Sequence, residues 1–189
     1  MRTINSPMNE KDVRELKAGD VVYLNGTIIT GRDGMHMRAL SSKKVPKILN
    51  GSTLFHCGPI MQRENDKWNV IAAGPTTSAR MNSTEAEMIK KYGIRAVIGK
   101  GGMSDDILDV MKERGCVYLA AVGGAAVTLA EGLNKVIGVE WEDLGMAEAL
   151  WIFEADRFGP LVVAMDAHGK SIYKDVRSKV DETIRKYHS

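Results

Sequence analysis

Cysteine is nearly missing from this sequence. Only Cys57 and Cys116 occur, far apart and in no CxxC spacing, which argues against a self-contained zinc or iron–sulfur site, because such a centre normally takes three or four ligands from one chain. A charge excess is missing too: 26 Lys and Arg stand against 24 Asp and Glu, too balanced and too evenly spread to mark a nucleic-acid binder. No uncharged apolar run approaches the roughly 18 residues of a membrane span. Met1-Arg2-Thr3-Ile4-Asn5-Ser6-Pro7 has no apolar signal core. These absences predict a soluble cytoplasmic protein with no nucleic-acid or membrane partner. There is no internal repeat, linker or low-complexity tract, and 189 residues suit one domain, 1–189, around one compact core.

Two phosphate-binding fingerprints are also absent. Gly99-Lys100-Gly101-Gly102 has Ile94 where a Walker motif begins with glycine, and Gly101 where it needs a hydroxyl for magnesium. A dinucleotide fingerprint fails because Ser104 occupies the place of its last glycine.

What is present is a repeated layout. Val70-Ile71-Ala72-Ala73 leads into Gly74-Pro75-Thr76-Thr77-Ser78-Ala79-Arg80-Met81, and Ala96-Val97-Ile98 leads into Gly99-Lys100-Gly101-Gly102-Met103. Apolar run, glycine loop and helix-like segment in series place backbone N–H groups where an anion can bind. Adjacent strands would bring Arg80 and Lys100 into one crevice, a site for a small, doubly anionic molecule. If a helix begins near Thr77, Thr76 and Arg80 share a face. Taken alone, Gly-Pro-Thr-Thr is as well read as a capped turn, Arg32 and Lys100 as solvated strand ends, His36 as a hydrogen-bonded structural residue, and His56 and Cys57 as core or loop.

The remaining pattern reads as an α/β chain. Asn9 caps a helix over 10–17. Val21 to Leu24 and Thr27 to Thr30 flank Asn25-Gly26, a strong hairpin signal, and a helix follows over 35–42. Strands are expected over 53–57, up to Ala73, 96–98 and 116–121, with 60–66 a connector. Thr84 and Glu87 form a capping box for a helix to Tyr92, ended by Gly93; another helix covers 104–114, in a right-handed βαβ series. A helix from Gly123-Gly124 to about Leu133, an irregular 136–144, two strands over 150–154 and 161–165, and a terminal helix over 174–187 complete the reading.

Gly31-Arg32-Asp33-x-x-His36, Gly74-Pro75-Thr76-Thr77-x-x-Arg80-Met81 and Gly99-Lys100-Gly101-Gly102-Met103, in this order, resemble the β subunit of class I fumarate hydratase and of L(+)-tartrate dehydratase. The likeness runs over nearly the whole chain, including Glu148-Ala149-Leu150-Trp151; Ser78-Ala79 stands where many relatives carry Ala-Gly. The resemblance implies a swivelling β/β/α domain, a mixed sheet with helices packed over it. It also implies a hetero-oligomer, in which a partner α subunit, and not this chain, holds an oxygen-sensitive [4Fe-4S] cluster. Arg32, Arg80 and Lys100 would then bind the carboxylates of a small dicarboxylate and Thr76 would serve proton transfer, with Asp33, His36, Thr77 and Gly101 as secondary candidates and no metal ligand in this chain. The implied reaction is the reversible hydration of fumarate to (S)-malate. The alternatives are tartrate dehydration and a non-catalytic anion-binding module of the same fold.

Overall fold

The computed structural model describes residues 2–187. Strands β1 (Arg2–Ser6), β2 (Val21–Thr30), β3 (Thr53–Phe55), β6 (Ala96–Gly99) and β7 (Val117–Ala120) lie side by side and parallel. The long β9 (Leu150–Met165) runs antiparallel to β7 on one side and to β2 on the other. The pairings β2–β3–β6–β7–β9–β2 therefore close into a ring, with β1 added outside β2 and β8 (Leu133–Glu140) outside β9. The hairpin β4 (Ile60–Glu64) and β5 (Lys67–Ala72) stands apart as a two-stranded sheet.

Both faces of the central strands are apolar, and neighbouring residues point to opposite sides. Phe55, Ile98 and Leu119 point into one cluster with Leu24, Ile28, Trp151, Phe153 and Phe158. The alternate residues Leu54, Val97 and Tyr118 point into a second. That second cluster is covered by α2 (Asp33–Ser41), α3 (Asn82–Tyr92) and α4 (Asp105–Arg114) through Met35, Met88, Ile89, Ile107 and Met111. The sheet thus divides the interior in two where sequence composition suggested one core. In the first cluster Phe55 meets Phe158 edge-on at 5.3 Å and Trp68 meets Trp151 at 5.0 Å, geometries that aromatic quadrupoles favour.

The expected hairpin at Asn25-Gly26 does not form. Both halves belong to one strand, β2, which pairs with β1 in parallel and with β9 antiparallel on its other side. Folded back, the halves would bond only to each other; kept straight, each has two flanking partners. Gly26 still does what a special glycine does: it takes φ +94 at a register shift in the β2–β9 pairing. A Cβ there would collide with the carbonyl oxygen of Ser6. Gly26→Ala should therefore cost about 2 kcal/mol, combining left-handed strain with displacement of β1. Gly51→Ala, at φ +68 with open space around it, should cost only about 1 kcal/mol. Urea midpoints of the two variants check the difference, and equal losses would remove the β1 contact as the cause.

Other boundaries shift for related reasons. Residues 150–165 form one strand rather than two, bent at Arg157 (φ 51) and Gly159 (φ 140) but never reversed. Both halves find partners on the same β2, Thr27 opposite Glu154 and Val22 opposite Leu161. Residues 133–140 are strand β8, so α5 (Ala126–Glu131) stops before Leu133. The run ending in Ala73 pairs with the supposed connector 60–64 instead of joining the main sheet. Asn9 caps α1 (Glu10–Arg14) in a capping box, and Gly93 and Gly115 end α3 and α4 in left-handed conformation. Thr84 caps nothing: α3 already begins at Asn82 after a 3-10 turn, Ser78–Met81. The last helix, α6, covers Ile172–Tyr187. Among the described residues no helix is long and apolar enough to cross a membrane.

Candidate functional site

The site lies where parallel strands end. At the exit of β2, Arg32 takes an extended conformation at the start of α2, its Nε 3.2 Å from Glu148 Oε1. Glu148 Oε2 accepts from the Gly34 N–H at 2.8 Å, a carboxylate at a helix N-terminus, where the dipole favours it. One carboxylate thus fixes both the guanidinium and the helix start. Gly58 leaves the room: a Cβ there would lie 2.7 Å from an Arg32 terminal nitrogen.

The Gly-Pro-Thr-Thr stretch reaches this edge from the β4–β5 hairpin and inserts beyond the ends of β3 and β6. Pro75 bridges Cys57, and Thr77 bridges Lys100. The Thr76 N–H donates to the His56 carbonyl at 2.7 Å, the Ser78 N–H to the Lys100 carbonyl at 3.0 Å, and the Lys100 N–H to the Thr76 carbonyl at 3.3 Å. Backbone register therefore sets Thr76 beside Lys100. Arg80 follows on the 3-10 turn and reaches back to Asp33, Nη2 to Oδ2 at 2.6 Å. Thr76 precedes that turn, and strand-like pairing joins it to Lys100.

The candidates separate by exposure. Arg80, Lys100, Thr77 and Gly101 are exposed, and Arg32, Asp33 and Thr76 are half-buried. His36 is fully buried, with Nδ1 3.0 Å from Thr84 Oγ1 and Nε2 3.8 Å from Glu85 Oε2. It faces inward and touches no open surface.

Four further residues escaped the sequence reading. His56, Ser78, Glu85 and Tyr118 form a buried hydrogen-bonded series beneath the loops. Burial would raise the pKa of Glu85, but the two imidazoles beside it and the hydrogen bond from His56 hold it below the usual carboxylate range. Burial pushes the Tyr118 phenol up. The only available signal was polar residues inside apolar segments, Thr53-Leu54-Phe55-His56 above all. His36, His56 and Glu85 bring three potential metal-ligand atoms within 4.8 Å of one another. Neither cysteine belongs to that group, and the two cannot meet each other: Phe55 aligns with Ile98 and Leu119, so Cys57 lies two residues beyond that level and Cys116 three before it, roughly 16 Å apart along the strands.

Residues 2–176 match the family described as Fumarase C-terminus. The chain belongs to that family. Within it, the chain is 49% identical over 182 residues to a Methanocaldococcus jannaschii protein provisionally named L(+)-tartrate dehydratase subunit beta, covering 94% of this chain and 93% of that protein. It is 39% identical over 177 residues to L(+)-tartrate dehydratase subunit beta of Escherichia coli (strain K12), covering 90% and 86%. A Geobacillus stearothermophilus protein provisionally named fumarate hydratase class I is 45% identical over 186 residues, covering 98% of this chain but 36% of that longer protein. The span matched by the Fumarase C-terminus family contains every site residue above and ends early in α6.

Proposed function

We propose that this chain is the β subunit of a hydro-lyase acting on a four-carbon dicarboxylate, with the hydration of fumarate to (S)-malate as the reaction. The observation that carries this reading is an open edge where the Thr76 backbone is bonded to Lys100, Arg80 pairs with Asp33, and Arg32, the chain neighbour of Asp33, pairs with Glu148. Removing or adding a proton at the carbon next to a carboxylate builds negative charge on that carboxylate. Cations already aimed there stabilise the transition state more than the ground state. Arg suits a carboxylate because its planar fork binds two oxygens at once, and Lys adds a compact charge. In this reading Thr76 hydrogen-bonds the substrate and serves proton transfer at that carbon. A threonine hydroxyl needs an activating neighbour; Asp33 is engaged by Arg80 and Glu85 is buried, so that neighbour comes from another chain.

An iron–sulfur cluster does not fit the residues of this chain. Its two thiols lie at opposite ends of the strands, and burial pushes Cys57 up to about 12 and Cys116 well above the ordinary thiol range. The cluster is therefore assigned to a partner α subunit, and the exposed rim around Arg80 and Lys100 is where such a partner completes the site.

Tartrate dehydration is the second reading, favoured by the names of two of the relatives above. Co-expression with a cysteine-bearing α subunit, followed by anaerobic assay, tests both. The isolated β chain should be inactive, and the assembled pair should turn over fumarate with a higher kcat/KM than tartrate. The reverse order would install the tartrate reading. Turnover by the β chain alone, or no activity after confirmed assembly and cluster loading, would refute the assignment.

A further inference from the structure

The buried series beneath the site has no part in binding the diacid. His56, just past β3, has Nδ1 2.9 Å from Ser78 Oγ and Nε2 3.0 Å from Glu85 Oε2. Ser78 Oγ lies 2.9 Å from the Tyr118 hydroxyl, which accepts from the Gly102 N–H at 3.3 Å. One proton assignment satisfies every link. Gly102 N–H donates to Tyr118, Tyr118 O–H to Ser78, Ser78 O–H to His56 Nδ1, and His56 Nε2–H to Glu85.

Serine, histidine and glutamate in series have the composition of a nucleophilic triad. Here that role is closed off. Ser78 is wholly buried, and a Cβ at Gly99 would collide with its Oγ. No substrate reaches the hydroxyl, so what the series delivers is position. Its ends are informative: one is Glu85 on α3, and the other is the amide of Gly102 in the cation loop. Its middle, Ser78, stands two residues after Thr76 and two before Arg80.

We propose that Glu85, His56, Ser78 and Tyr118 are positioning residues that hold the Thr76–Arg80 segment and the Lys100–Gly102 loop at one fixed separation. The effect on turnover rests on the diacid reading, whereas the effect on backbone order does not. Pro75 to Thr77 belong to no helix or regular strand and carry only isolated bridges. The three backbone bonds that join this segment to His56 and Lys100 sit at a partly exposed edge, where such pairing opens easily. His56 grips the segment twice, through its carbonyl at Thr76 and its ring at Ser78. The series ties that grip to β3, α3 and β7, three elements that pack in the core. A misplacement of about 1 Å between catalytic groups can cost on the order of a hundredfold in rate, so a small loss of order here is readable in kinetics.

Ser78→Ala removes the central link, and Tyr118→Phe removes one hydroxyl while keeping the ring. In the isolated β chain, Ser78→Ala should speed amide hydrogen exchange at Thr76, Ser78 and Lys100 at least tenfold, with β9 and α3 keeping wild-type protection. Tyr118→Phe should speed exchange at Gly102 and leave Thr76 unchanged. In the assembled complex, Ser78→Ala should lower kcat about tenfold with KM within threefold of wild type. Unchanged exchange at Thr76 and Lys100, acceleration spread evenly over the chain, or selective acceleration with normal kcat would each overturn the proposal. If the wild-type complex proves inactive on diacids, selective exchange still upholds the positioning role, and only the reaction is lost.

Discussion

Replacing Arg80 with methionine should leave folding and assembly intact and lower kcat/KM for the diacid at least tenfold. The two halves of that expectation rest on different physics. In the free chain the guanidinium is about half exposed, 51%, and its partner Asp33 is 41% exposed. A surface pair of that kind contributes about 0–1 kcal/mol to stability, so thermal unfolding should hardly move. Under the proposed reaction the same guanidinium would face charge that grows on a bound carboxylate, where a charge-assisted hydrogen bond contributes on the order of 1.5–3 kcal/mol. That range corresponds to roughly ten- to more than hundredfold in rate. Asp33→Asn frees Arg80 without deleting it and should cost far less. Near-normal kinetics in Arg80→Met would remove Arg80 from the site.

Acidification should weaken the fold through His36 before any exposed carboxylate matters. Its ring is fully buried, and burial is the leading reason that its pKa falls from 6.5 to about 4; the nearby His56 lowers it further, while Glu85 and Asp33 act in the opposite direction. The sign follows from proton counting. Between pH 6.5 and about 4 the unfolded chain binds a proton that the folded chain refuses, so stability is complete above 6.5 and falls as pH falls through that window. A displacement of this size corresponds to roughly 3 kcal/mol. Glu85, held below the usual carboxylate range, acts in the same direction further down: its contribution is present above the unfolded carboxylate pKa and is lost as pH drops through its folded value. Urea unfolding at several pH values from 7.5 to 4.5 should show the decline, and His36→Gln should flatten it above pH 5. An equal slope in wild type and variant would detach the effect from His36.

The same contrast separates what pattern reading found from what it missed. Asn9 and Gly93 were legible because a cap or a left-handed terminus is decided by the residue and its immediate neighbours. The glycine loops with Thr76, Arg80 and Lys100 were legible as loops that follow apolar runs. The route by which they meet was not, because the run before Gly74 belongs to a hairpin outside the main sheet. His56 was read as core or loop, and Ser78 and Glu85 were given no role, because their pairing spans 22 and 29 positions and no local period records it.

By itself, then, the order of residues determined the caps at Asn9 and Gly93, the α/β alternation and the place of each charged loop along the chain. These are near-neighbour effects of about 1 kcal/mol each. Only the tertiary structure decided that Asn25-Gly26 would bend a strand instead of reversing it, that β9 would close the ring onto β2, and that a buried glutamate would sit under the cation loops. The reason is one of scale: whole ladders and buried faces outweigh a single turn preference, and their partners lie far away in the chain.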